Sequence, residues 1–338
     1  MNFDFSDDQH AIKRTAKDLL ADRFRLERVR EHVEGGTYDE ATWKELGALG
    51  WPGIFIGEEY GGQGLGIVEL VILMEELGYA LAPVPFLSSA AAGLVLQAGG
   101  SEEQKARWLP GIASGELRGT VGLVNEGEAK LVPDAESADV IVLCGHDVRT
   151  VNERSAAEVE PVKTLDATRS YSRVRAGAGE ALEADHLPGL SCAALAVAAE
   201  QTGIAQRAME MAVDYARDRK QFGRPIGSYQ AVSHRCAQML LEVEGSRSAA
   251  YYAAWTADAE PETLGLAASM AKAYASDAGW RVCTSALQVH GGIGFTWEHD
   301  LHLFLKRAKV NGSLYGSARD HRDIVARLSG VAQPASVA

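Results

Sequence analysis

At 338 residues, with 46% apolar and 23% charged side chains, the chain has an ordinary globular composition and room for two or three domains' worth of core. A formal net charge of −13 argues against nucleic acid or an anionic membrane as the main partner. The four cysteines, Cys144, Cys192, Cys236 and Cys283, show no CxxC and no His/Cys ligand spacing, so they read as buried thiols in a reducing compartment and not as a metal site. The opening MNFDFSDDQH lacks the apolar run of a signal peptide, and no segment approaches membrane-spanning length. A cytoplasmic location is therefore expected.

In chain order, Ser6 followed by two aspartates is an N-cap signal ahead of a helix carrying Ile12, Ala16, Leu19 and Leu20 at helical spacing. A second helix is expected at about 42–49, and then a Gly-rich irregular stretch at 50–66. The run IVELVILMEELGY, 67–79, reads as a buried helix that Pro83 and Pro85 bring to an end. Further helices are expected at 88–97 and after the cap formed by Ser101, Glu102 and Glu103. The texture changes near Arg118. Short β-like runs (TVGLV, DVIVLC, HDVRTV, YSRVRA) follow to about Arg175, separated by Asn, Gly, Asp and Pro. Ala-rich helical segments resume at about Pro188, with breaks at 223–225, 259–261 and 291–294. The expected divisions are an N-terminal helical domain over 1–118, a small β domain over 119–185, a C-terminal helical bundle over 186–330 and a disordered tail over 331–338.

One stretch stands out, YARDRKQFGRPIGSYQ at 215–230. Arg217 and Arg219 stand one helical turn before a Gly-Arg-Pro corner, with Phe222 beside them. Cations, an aromatic ring and a sharp break suit an anionic ligand that carries a flat ring, such as a dinucleotide. They suit a solvated helix end equally well.

Four segments taken together resemble the acyl-CoA dehydrogenase family: LGALGWPGIFIGEEYGGQGLG with EELGYALAPVPF, then LDATRSYSRVRA, then YARDRKQFGRPIGSYQ, then QVHGGIGF at 288–295. They occur in the family's order, on its helix–β–helix plan, over nearly the whole chain. The resemblance implies a mainly α fold with an N-terminal helical domain, a small middle β domain and a C-terminal four-helix bundle. It implies an FAD enzyme that removes the α-proton of an acyl-CoA thioester with a carboxylate and passes the β-hydrogen to the flavin as hydride. It further implies that the C-terminal motifs reach across a subunit interface to the adenosine diphosphate half of a neighbour's FAD. Arg219 would meet the pyrophosphate, and Phe222 would pack near the adenine. Gln288, Gly291 and Gly292 would let the backbone approach the phosphates, and Gln221 and Gln230 would add hydrogen bonds. Arg217, on another helical face, is left as a surface cation.

Two departures from that pattern matter. The flavin-facing T-E-P-x-A-G-S-D and later Trp segments are lost: the corresponding stretch is GLVNEGEAKLVPD, 122–134, and no Trp lies between Trp108 and Trp255. The catalytic Glu is also missing. Tyr315 stands at the usual position and Ala193–Ala194 near the alternative one. Tyr315, with an intrinsic pKa near 10, is a poor base. Glu200 lies about two turns beyond the alternative site, and Asp320 is a weak substitute that also reads as part of a charged helix start. The chain therefore resembles the shorter, base-lacking subunit of heteromeric acyl-CoA dehydrogenases, especially actinobacterial ones acting on steroid side-chain CoA thioesters. Its expected partner is a longer homologous subunit in an α2β2 assembly. The alternatives are a self-sufficient homo-oligomer with a displaced base and a non-catalytic scaffold of the same fold.

Overall fold

In this computed structural model the described residues are 4–35, 40–175, 177 and 179–331. Residues 332–338 of the expected tail lie outside them. Helix α1, Asp7–Arg23, starts with a capping box: the Ser6 hydroxyl accepts the Gln9 N–H and the Gln9 side chain accepts the Ser6 N–H. The next helix, α2, Leu26–Gly35, was not expected from the sequence, although Leu26, Val29 and Val33 share one face at helical spacing. Then come α3 (Glu40–Ala48), α4 (Ile67–Tyr79), α5 (Phe86–Gly99) and α6 (Glu102–Ser114), the last opened by a second capping box on Ser101 and Gln104. Trp43 donates its indole N–H to the Gly115 carbonyl at 2.9 Å, which ties α3 to the end of α6.

The middle of the chain forms a curled sheet of β1 (Gly119–Asn125), β2 (Glu128–Pro133), β3 (Val140–Cys144), β4 (Arg149–Glu153), β5 (Glu158–Pro161), β6 (Tyr171–Arg175) and β7 (Glu180–Ala181). The spatial order is β5-β6-β2-β1-β3-β4-β7. The β1–β3 pair is parallel and the other pairs are antiparallel. Alternation along the strands separates two cores. Val121, Val140, Val142 and Cys144 pack into the main helical core, while Ala129, Val132, Ile141, Leu143 and Val174 close a small core of the sheet's own. β2, β5 and β7 are additions to the expected strands. Two of them end in proline and the third is two residues long, so they carry little propensity of their own.

The C-terminal part is built from α7 (Leu187–Asp218), α8 (Gln230–Ala259) and α9 (Leu264–His290), completed by α10 (Leu301–Asn311) and α11 (Ala318–Leu328). A β8–β9 ribbon, Lys220–Gln221 with Arg224–Pro225, joins α7 to α8. Small residues let α7 cross α4 closely: a Cβ at Gly203 would lie 1.9 Å from the Glu75 carbonyl oxygen, and one at Gly78 would lie 2.1 Å from that of Glu200. The two acids inside apolar α4 are buried but paired. Glu76 meets Lys13 at 2.8 Å; Glu75 accepts from Arg247 at 2.9 Å and from the Tyr251 hydroxyl at 2.7 Å. They clamp α1, α4 and α8 together, since a buried carboxylate persists only where partners replace its hydration. Among the described residues no helix is long and apolar enough to cross a membrane, and no group of His, Cys, Asp and Glu is arranged to hold a metal ion.

Candidate functional site

The corner between α7 and α8 is a built structure and not a frayed end. The Arg219 N–H closes α7 on the Tyr215 carbonyl at 2.9 Å, and the Ile226 N–H returns to the Arg219 carbonyl at 2.8 Å. Phe222 and Gly223 make the two-residue turn of the ribbon, both with positive φ, 50° and 81°. An aromatic residue in that region costs about 1 kcal/mol relative to glycine. The turn spends it on a Phe222 that is 94% exposed. The Arg224 guanidinium lies 4.0 Å from the centroid of the Tyr229 ring, and the Tyr229 hydroxyl donates to the Gln221 carbonyl at 3.2 Å. Both contacts brace the ribbon against the start of α8.

Facing this corner is the end of α9. Gly291 terminates the helix at φ 65° and ψ −139°, and residues 291–295 continue as a 3-10 turn. Between them lies an open cleft of about 530 Å³ whose walls include Tyr215, Arg219, Gln221, His290 and Gly292. The expected residues Arg219, Gln221 and Gly292 thus come together. Gln288 is exposed on the last turn of α9. Phe222, at the ribbon tip, and Gln230, the first residue of α8, are exposed outside the lining of the cleft. Arg217 makes a surface pair with Asp214 at 3.8 Å. Among the described residues Arg219 has no ion-pair partner.

This set of groups fits the phosphate-bearing half of a dinucleotide. A Cβ placed on Gly291 or Gly292 would meet nothing within 4 Å. At Gly291 the positive φ already demands glycine, whereas at Gly292 neither packing nor a positive φ does, and the bare backbone there faces open space that a ligand can approach. A free guanidinium opposite exposed backbone is a donor set for an anion.

The position expected for a catalytic carboxylate looks different. The loop from Gly312 to Ser317 is held firmly. The Lys272 ammonium donates to the carbonyls of Asn311 and Gly316 at 3.1 and 3.0 Å and to the Ser276 hydroxyl at 3.0 Å, and His321 Nε2 lies 3.0 Å from the Tyr315 carbonyl. Burial pushes the Lys272 ammonium down to about 7, with Asp320 and Asp277 opposing. Within this loop Tyr315 adopts φ 53° and turns its side chain inward, where its hydroxyl has no hydrogen-bond partner. Burial drives that phenol far above its ordinary value, so it is not a base near neutral pH.

The remaining candidates are also engaged elsewhere. Ala193 and Ala194 are buried in α7. Asp320 is the N3 residue of α11 and accepts from the Ser317 N–H at 2.8 Å and the Ser317 hydroxyl at 2.7 Å. These bonds hold its carboxyl below the ordinary value, and it serves as a helix cap. Glu200 is enclosed. It accepts from Arg169 at 2.7 Å, Arg307 at 2.9 Å and Asn311 at 2.7 Å. Burial alone would raise its carboxyl, but the guanidiniums of Arg169 and Arg307 outweigh that and hold it low.

Glu200 belongs to a buried cluster that the sequence did not reveal. The D-x-T-R segment supplies Asp166, Thr168 and Arg169. Arg307, fully buried on α10, donates to Asp166 at 2.8 Å and to the Thr168 carbonyl at 2.8 Å. Asp134, at the end of β2, accepts from the Ser88 hydroxyl at 2.7 Å and lies 3.9 Å from Arg169. Three carboxylates thus face two guanidiniums, and burial pushes Asp134 up to about 7 against the pull of Arg169 and Arg307. The cluster joins the sheet, α5, α7 and α10, so its role is to fix the β domain on the helices.

The segment expected to have lost its flavin-facing motif, 122–134, is a plain hairpin. Strands β1 and β2 pair through Asn125 and Glu128, and the two-residue turn Glu126–Gly127 has both φ values positive. The shortest hairpin connection leaves no loop to reach over a ring. The interior of the sheet is closed as well, since a Cβ at Gly122 would meet Ala129, Leu143 and Val132 within 2.9 Å.

Residues 6–116 match the acyl-CoA dehydrogenase N-terminal domain and residues 187–329 the C-terminal domain, with the sheet between them. The acyl-CoA dehydrogenase IpdE2 of Mycolicibacterium smegmatis is 34% identical over 93% of this chain and 96% of its own. FadE34, an acyl-CoA dehydrogenase of Mycobacterium tuberculosis, is 35% identical over 83% of this chain, but the match spans only 41% of that protein. Among solved structures, the Tcur3481-Tcur3483 steroid ACAD is 27% identical with a TM-score of 0.87, over 96% of this chain and 98% of that one.

Proposed function

The chain belongs to the acyl-CoA dehydrogenase family, and from that premise we propose that it is the subunit that completes a partner's FAD site without supplying the base. The observation that carries this reading is an asymmetry. The groups suited to the adenosine diphosphate half of FAD, Arg219, Gln221 and Gly292, line an open surface cleft, whereas the positions where family members place the carboxylate, Ala193, Ala194 and Tyr315, are buried and carry none.

In this reading Arg219 donates to the pyrophosphate and the backbone at Gly291 and Gly292 approaches it closely. Gln221, Gln230 and Gln288 hydrogen-bond around it, and the protruding Phe222 packs near the adenine. FAD, when bound, would supply the acceptor for a hydride from the β-carbon of the acyl-CoA. The α-proton goes to a carboxylate on a longer homologous subunit, since this chain offers no unengaged acid at either position. The substrate class that best suits the relatives is a steroid side-chain CoA thioester: the Tcur3481-Tcur3483 relative is a steroid ACAD whose name joins two components. An α2β2 assembly in the cytoplasm completes the proposal.

Co-expression tests it. The chain purified alone is expected to be nearly colourless and inactive. With a longer homologue that carries the Glu, it is expected to yield a yellow complex that reduces its flavin with acyl-CoA. A lone chain that binds one FAD per polypeptide and reduces it with acyl-CoA contradicts the proposal.

A further inference from the structure

His290 forms part of the wall of the same cleft, between Gln288 and Gly291 in the chain, and has so far been given no role. Its ring is held on three sides. Nδ1 lies 2.8 Å from the Ala286 carbonyl, so that nitrogen carries the proton and donates. Tyr215 of α7 stacks on the ring at a centroid distance of 4.6 Å and 25°. His299, from the loop before α10, meets it edge-on at 4.4 Å. With Nδ1 committed to the helix backbone, Nε2 is the nitrogen left for the cleft that Arg219 and Gly292 also line.

We propose that His290 is a pH-dependent ligand of the diphosphate, with Nε2 taking up one proton as the anion enters the cleft and then donating a hydrogen bond to it. This rests on the reading of the cleft given above. The neutral ring presents a lone pair to the phosphate oxygens, which repels them. The protonated ring presents a donor and a positive charge beside Arg219. Without ligand the ring is kept neutral: burial lowers its pKa most and His299 lowers it further, while the bond to Ala286 opposes them. The other groups around it do not supply a charge that would reverse this. Tyr215 presents its ring face. His299 is itself held low by burial, with Asp300 and Arg30 acting on it in opposite senses. A diphosphate diester brings two negative charges to a partly desolvated site and favours the charged ring. Binding therefore couples to proton uptake, and affinity falls as pH rises, by up to about tenfold per unit between the free and bound pKa of the ring.

The test uses the complex with the Glu-bearing partner, stripped of flavin, and ADP-ribose, which has the adenosine and the pyrophosphate but no flavin, and whose phosphates do not titrate near neutrality. Isothermal titration in two buffers of different ionisation enthalpy counts the protons taken up. The wild type is expected to take up a proton on binding near neutral pH and to bind several-fold more weakly in mild alkali than in mild acid. His290→Asn can still donate to Ala286. It is expected to keep the alkaline affinity and lose both the proton uptake and the pH dependence, while His299→Gln keeps both. Proton uptake that persists in His290→Asn, or wild-type binding without uptake, overturns the role of His290 and leaves the cleft assignment standing. No ADP-ribose binding by the wild-type complex overturns both.

Discussion

Replacing Asp134 by Asn probes the buried cluster that seats the sheet on the helices. Its carboxyl is pushed from an ordinary 3.8 to about 7, chiefly by burial, a shift of about three units or ~4 kcal/mol at most. The sign follows from linkage. The native state keeps this proton up to about pH 7 and the unfolded chain releases it near pH 4, so stability falls as pH rises through that window and is level above it. The attraction to Arg169 and Arg307 is already contained in the value of about 7. Asparagine keeps an acceptor for Ser88 and carries no charge, so the variant escapes the penalty. Between pH 5 and pH 8 the variant should gain on the wild type by up to ~3 kcal/mol. At about 2.1 cal/mol/K of unfolding entropy per residue, a chain of this length should then show a Tm advantage of roughly 4 °C. Calorimetry of both proteins at the two pH values reads it directly. Equal destabilisation of the variant at both pH values would mean that Asp134 is ionised and paired throughout, and that the count of three carboxylates against two guanidiniums misstates the cluster.

Three further substitutions separate structure from chemistry. Tyr315→Phe removes a buried hydroxyl that has no partner; it should stabilise the chain by ~1 kcal/mol in denaturant melts and leave flavin reduction by the assembled enzyme unchanged. Lost activity would restore Tyr315 as a catalytic candidate. Asp320→Asn weakens the cap of α11 and should cost about 1 kcal/mol without altering FAD content or flavin reduction, whereas a variant that is stable but dead would identify a displaced base. Arg307→Met leaves Asp166 without its guanidinium and Glu200 with Arg169 alone, and should cost ~3–5 kcal/mol, read as a fall in the urea midpoint.

Much of the architecture was legible because local chemistry and burial agree. Ser6, Ser101 and the apolar run at 67–79 each mark an element at its observed boundary. The corner at 219–226 and the turn at 291–295 were legible through Gly, Pro and motif spacing, and the fold brings them to one cleft. What escaped depends on distant parts of the chain. β2, β5 and β7 gain their strand character from their neighbours in the sheet. The cluster of Asp134, Asp166, Glu200, Arg169 and Arg307 directly bonds residues up to 141 positions apart, and no spacing rule relates them. His290 lay inside a recognised motif, but its stacking on Tyr215 exists only once α7 and α9 are packed.

The central claim is that Arg219 and its cleft hold FAD for another subunit, and the flavin content of the co-purified complex tests it most directly. Pairing Arg219→Gln with an unaltered Glu-bearing partner should give a complex that still assembles but loses most of its flavin on gel filtration, with reconstitution by added FAD weakened on the order of 10- to 100-fold for a lost charge-assisted bond. Full flavin retention in that complex would contradict the account.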